Sequence, residues 1–153
     1  MKIFKRASFL LLLSLLSFNL TFAQQKVDTV FVGKATSKTI KQSIDKKALV
    51  YIIVRHGEKE NNGKNPHLSE PGKERAKHLA QLFKKVKIQN AFSTDFFRTR
   101  ETLEPLIFEK KLDFKIYNPK EIPEFVKNDL SKNTGVNIIS GHSNTNPILI
   151  NEL

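Results

Sequence analysis

The pattern of apolar positions first becomes regular at Leu49-Val50-Tyr51-Ile52-Ile53-Val54, a continuous β-branched run that predicts a strand buried on both faces. Ser69 then offers a helix N-cap, Pro71 fits a first turn, and Ala76, Leu79, Ala80 and Phe83 recur at helical spacing through Lys85. A short strand follows at Ala91-Phe92-Ser93. A second helix is expected from near Phe97 through Leu103, Leu106 and Ile107, bent or shortened by Pro105 because proline removes a backbone donor. Phe114-Lys115-Ile116-Tyr117 predicts a third strand and Ile122 to Leu130 a third helix. Gly135 marks a turn before a fourth strand, Val136-Asn137-Ile138-Ile139-Ser140, and Asn144 to Leu153 begins a fourth helix. Strands alternating with helices in this way predict an α/β fold, a three-layer α/β/α sandwich around a mainly parallel sheet.

The stretch before this pattern has a different character. Lys2, Lys5 and Arg6 precede the apolar run Phe9 to Leu16, and Thr21-Phe22-Ala23 ends on a small residue, the order of a secretory signal peptide. Ser14, Ser17, Asn19 and Thr21 interrupt the run before it reaches the about 20 apolar residues that a spanning helix requires, so no stable membrane insertion is expected once the signal is removed. Residues 1–23 are thus read as a signal peptide, 24–47 as a polar leader whose one apolar cluster is Val30-Phe31-Val32, and 48–153 as the folded domain. The product is expected to be exported, periplasmic or secreted.

Composition narrows the class without naming it. Hydrophobic residues at 39% and charged residues at 27% are ordinary globular usage and exclude disorder and collagen, while the absence of Cys excludes a disulfide scaffold, a thiol nucleophile and a thiolate metal site. Without residues 1–23 the chain keeps 23 Lys+Arg against 15 Asp+Glu, a net charge of +8. These lysines are interleaved with acids along the whole length, so the reading is a solvated surface that attracts anions, not a nucleic-acid platform.

In parallel sheets ligands gather beyond the carboxyl ends of the strands. Arg55-His56-Gly57-Glu58 follows the first strand, and Gly141-His142-Ser143-Asn144-Thr145 follows the fourth. Ser93-Thr94-Asp95-Phe96-Phe97-Arg98 follows the second and sets Arg98 at a helix entrance. Two arginines and two histidines on one edge describe a pocket for a tetrahedral dianion, because guanidinium groups pair bidentately with phosphate oxygens. His67 and His78 lack that placement and are read as surface residues. Metal binding by the histidines with Glu58 and Asp95 is the competing reading. The sequence has no H-E-x-x-H spacing, and fixed positive charge would repel a cation. No glycine-rich nucleotide loop occurs either, so neither metal nor organic cofactor is expected.

Four segments in order resemble the histidine phosphatase superfamily, also called phosphoglycerate mutase-like, and its short phosphohistidine-phosphatase-like branch. They are Val54 to Glu58, Leu68-Ser69-Glu70-Pro71-Gly72, Ser93 through Arg98 to Thr102, and Gly141 to Thr145. The resemblance implies that His56 is a nucleophile that becomes phosphorylated and that Arg55, Arg98 and His142 bind the phosphoryl oxygens, with Ser143 and Asn144 on the substrate side. Larger members carry a proton-donating carboxylate in an insertion for which Glu104 to Asp113 leaves no room, and Glu58, Glu121 and Glu124 are the candidate acids here. Relatives usually continue to one more strand, whereas this sequence stops at Leu153 inside its last helix, and a domain lacking that strand is expected.

The expected function is an exported phosphatase acting on a small phosphomonoester or a phosphorylated protein side chain. The alternatives are a phosphate-binding module without turnover and a mutase-type phosphotransferase.

Overall fold

The computed structural model describes residues 49–153; the expected signal peptide (1–23), the leader (24–47) and the domain boundary at Ala48 lie outside the described residues. Strands β1 (Val50–Arg55), β2 (Asn90–Ser93), β3 (Phe114–Ile116) and β4 (Val136–Gly141) alternate with helices α1 (Glu70–Phe83), α2 (Phe97–Lys110), α3 (Ile122–Asn128) and α4 (Asn146–Glu152), and a single 3-10 turn spans Leu130–Lys132. The strands form one parallel sheet in the order β1-β4-β2-β3. Successive side chains of a strand face opposite ways, and the two resulting faces carry separate cores. Ala91, Val136 and Ile138 pack with Ala80 and Phe83 of α1 and Leu103, Leu106 and Ile107 of α2. On the other face Phe92 and Ile139 pack with Ile122 and Phe125 of α3 and Leu149 of α4. This is the expected three-layer α/β/α arrangement, and no helix among the described residues is long and apolar enough to cross a membrane.

Two local expectations are corrected. β1 is not buried on both faces: its residues are half-buried or exposed, whereas every residue of β4 is buried. The cause is position, since β1 pairs only with β4 among the described residues, while β4 lies between β1 and β2. Each face of β1 still contributes, with Val50, Ile52 and Val54 against one core and Tyr51 and Ile53 against the other. Pro105 does not shorten α2, which continues to Lys110. A proline removes one donor, and the buried Leu103, Leu106 and Ile107 that flank it hold the helix against the sheet.

Candidate active site

Parallel pairing aligns the ends of β1 and β4, with Arg55 in register with Gly141, and the N–H of His56 donates to the Gly141 carbonyl at 3.1 Å. His56 and His142 therefore leave neighbouring strands side by side, and their rings stand 5.5 Å apart at 66°. His56 Nδ1 lies 2.7 Å from the carbonyl of Gly57. A carbonyl only accepts, so the proton is assigned to Nδ1 and the lone pair to Nε2. The pKa of His56 is lowered chiefly by burial; the Gly57 carbonyl works against this, and the charges of Arg98, Arg55 and Lys59 add to it. A neutral imidazole with a free Nε2 lone pair is the form a nucleophile requires.

The loop after His56 is held from two helices. Arg98, Glu101 and Thr102 share one face of α2 by their three- and four-residue spacing. Thr102 Oγ1 accepts from the Gly57 N–H at 2.9 Å and donates to the Arg98 carbonyl at 2.6 Å. Glu101 accepts from the N–H of Leu68 at 2.7 Å and pairs with His67, whose ring stacks on Phe97 at 4.2 Å. His67 is thus exposed yet engaged, and His78 is exposed on α1. From the other side α1 presses its first turn against the loop. A Cβ on Gly72 would sit 2.0 Å from the Glu58 carbonyl oxygen, which explains glycine there. Ser69 occupies the N-cap position, but its hydroxyl donates to the Glu58 carbonyl at 3.1 Å and makes no cap bond to the helix.

Arg98 lies over the Phe96 ring at 4.4 Å, with Nη2 in a long 3.5 Å contact to His142 Nδ1. Its Nε and Nη1 are buried and have no hydrogen-bond partner. Leaving such donors empty costs about 1–3 kcal/mol each or more when charged, and an oxyanion is the partner that a cationic fork fits. His142 is buried, and its Nε2 lies 3.0 Å from Thr94 Oγ1. Burial first, then the Arg98 charge and then His56, lower its pKa to about 4.

The sign of that shift makes a prediction. A histidine depressed from 6.5 to about 4 binds fewer protons folded than unfolded between those values, so its contribution to stability is complete above about pH 6.5 and is lost as pH falls towards 4. The melting temperature is expected to drop between pH 7 and pH 4.5, and to drop less in His142→Gln. Phosphate should offset the drop, because a bound oxyanion favours the imidazolium. An identical pH dependence in both proteins would contradict the assignment.

The structure thus gathers His56, Arg98 and His142. Arg55 is exposed at the end of β1, near enough for its charge to act on His56, and Ser143 and Asn144 are exposed on the turn between His142 and Thr145. Glu58 is drawn away from a donor's role: Arg75 of α1 grips its carboxylate, with Nε at 2.8 and 3.1 Å and Nη2 as a further donor. Those hydrogen bonds hold the Glu58 carboxyl at about 2, so it is ionised. Glu121 and Glu124 are exposed and line a cavity of about 230 Å³ with Tyr117 and Asp129, a cavity that none of the four basic residues lines. No group of three or more metal-ligating side chains occurs among the described residues. Sequence reasoning missed the hydroxyls of Thr94, Thr99 and Thr102. Their signal is the density of Ser and Thr around Arg98.

Residues 51–144 match the histidine phosphatase superfamily (branch 1). No curated protein matches the chain. Among solved structures, the protein histidine phosphatase SixA complexed with tungstate is similar at 17% identity, covering 65% of this chain and 73% of that one with a TM-score of 0.56. Mycobacterial hydrolase 2 is similar at 13% identity, covering 64% and 69% with a TM-score of 0.53. The chain spans 35% of the mycobacterial glucosyl-3-phosphoglycerate phosphatase, over 44% of its own length, at 23% identity and a TM-score of 0.40. With the family match covering well over half of its length, from the start of β1 to the turn after β4, this chain belongs to the histidine phosphatase superfamily, branch 1.

Proposed function

We propose that the chain is an exported phosphatase that hydrolyses a phosphomonoester or a related phosphorylated group through a phosphohistidine at His56. The observation that carries this reading is the pair of buried, unpartnered Arg98 donors beside a neutral His56 whose Nε2 is free. In the first step His56 Nε2 attacks phosphorus, the new N–P bond forms, and the bond from phosphorus to the oxygen or nitrogen of the leaving group breaks. In the second, water attacks the phosphohistidine, the N–P bond breaks, and inorganic phosphate leaves with His56 restored. Arg55, Arg98 and His142 stabilise the charge on the transferring group through both steps, as electrostatics does in phosphoryl transfer generally. Ser143 and Asn144 meet the rest of the substrate.

With Glu58 ionised against Arg75, the reading favours a phosphohistidine or an acyl phosphate over an alkyl phosphate, because a leaving group of low basicity needs no strong acid. The similarity in fold to a protein histidine phosphatase that holds tungstate supports a phosphorylated side chain as one substrate class.

The test is hydrolysis of an aryl phosphate by the purified chain without added metal, with the N-terminal residue of the exported product determined in parallel. Phosphate release and a start at Gln24 are expected. Vanadate binding without hydrolysis would replace this reading by a phosphate-binding module.

A further inference from the structure

Around His142 the hydrogen bonds have only one consistent direction. Thr99 Oγ1 lies 3.0 Å from the Thr94 carbonyl and 2.9 Å from the Phe96 carbonyl, and both are pure acceptors. The Thr99 hydroxyl proton therefore points to a carbonyl. Its oxygen is left to accept from the Thr94 hydroxyl at 2.9 Å. With its one proton given to Thr99, Thr94 Oγ1 meets His142 Nε2 at 3.0 Å as an acceptor, which requires Nε2 to carry the ring proton. The opposite end of the ring agrees: Nδ1 faces Arg98 Nη2, a group that only donates. Thr94 and Thr99 are both fully buried, so water does not compete for these bonds.

We propose that Thr94 and Thr99 are positioning residues that lock His142 in its Nε2–H tautomer, so that Nδ1 is the atom offered beside Arg98 to the phosphoryl group. The role of His142 towards phosphate rests on the phosphatase reading; the tautomer does not. The charged and titratable groups facing His142 are Arg98 from α2 and His56 from the end of β1, and the Phe96 ring closes a further side edge-on at 5.1 Å. With Nε2 carrying the proton, Nδ1 of the neutral ring is unprotonated. When a phosphoryl dianion arrives, Nδ1 takes up a proton and donates to it, while Nε2–H stays on Thr94. A reversed ring tautomer would place the only lone pair on the threonine side and leave Nδ1–H opposed to the Arg98 donor.

The test is nitrogen NMR of the imidazoles in the full chain, with Thr94→Val, which removes donor and acceptor at nearly constant volume, and Thr94→Ser, which keeps the hydroxyl. In the unsubstituted protein at pH 7 His142 is expected as the Nε2–H tautomer. Thr94→Val should populate the other tautomer, move the acid limb of vanadate binding, and lower kcat/KM by up to about 10²-fold, the scale of a misplaced catalytic group. Thr94→Ser should restore all three. An Nδ1–H tautomer in the unsubstituted protein, or an unchanged tautomer and vanadate profile in Thr94→Val, overturns the proposal. Should Thr94→Val fail to fold, the tautomer of the unsubstituted protein and the Thr94→Ser profile still decide it. The expected tautomer in a folded chain that binds vanadate but releases no phosphate supports the positioning role and overturns the phosphatase reading instead.

Discussion

His56→Ala is expected to abolish phosphate release from an aryl phosphate while the folded chain keeps its affinity for vanadate. Deleting a covalent nucleophile costs on the order of 10⁶-fold in other enzymes, which places the residual rate below detection here. The fold should tolerate the change. The His56 ring is half-buried, its one hydrogen bond goes to the Gly57 carbonyl, and the backbone bonds that hold the segment, His56 N–H to Gly141 and Gly57 N–H to Thr102, survive the substitution. Losing the Gly57 contact should cost about 1 kcal/mol at most. Oxyanion binding persists because Arg98 and His142 still face the same space. Retained turnover in His56→Ala would move the nucleophile elsewhere and dismantle the mechanism; loss of both turnover and vanadate binding in a folded protein would mean that His56 shapes the pocket instead of reacting in it.

Arg98→Met is expected to lower kcat/KM by about 10²- to 10³-fold, the range for removing one oriented donor from a developing oxyanion, without lowering the melting temperature. Ordinary reasoning about a buried charge predicts the reverse for stability. Here Nε and Nη1 are buried with no partner in the protein, at a desolvation cost of about 1–3 kcal/mol that methionine removes. Against it stands the cation–π contact with Phe96, about 0.5–1 kcal/mol, part of which a thioether keeps. Burial already lowers the pKa of Arg98, in line with a guanidinium held short of solvation. Phosphate should raise the melting temperature of the unsubstituted protein and do so far less for Arg98→Met, since only an occupied site gives Arg98 its partner. Arg98→Lys is expected to resemble Arg98→Met in rate, because an ammonium does not reproduce the planar fork. A variant with full activity, or one that unfolds, would contradict this account of the residue.

Much of this fold and site is legible in the sequence, for identifiable reasons. Strand periodicity and β-branched runs located β1 and β4 because backbone direction and side-chain size act locally. Rank within the sheet was another matter. Leu49 to Val54 is apolar throughout and Val136 to Ser140 carries Asn137 and Ser140, yet the first lies at the margin of the described sheet and the second at its centre, because crossovers decide which strands become neighbours. The same limit applies to the acids. Glu58 lies two residues from His56, which made it a candidate proton donor, but Arg75, seventeen residues further on, takes its carboxylate once α1 folds against the loop.

Local patterning of the chain specifies the segments and the chemistry they carry: alternating elements of α/β type, with His56, Arg98 and His142 each following a strand and therefore on one edge. Tertiary structure alone decided the protonation states and the orientation of that set. The Gly57 carbonyl assigns the His56 proton to Nδ1, Thr94 and Thr99 assign the His142 proton to Nε2, and packing around Arg98 strips its donors of water. The Thr94 and Arg98 contacts with His142 join residues more than forty positions apart, which no local pattern encodes; Gly57 is the neighbour of His56, but the loop that presents its carbonyl is held by α1 and α2.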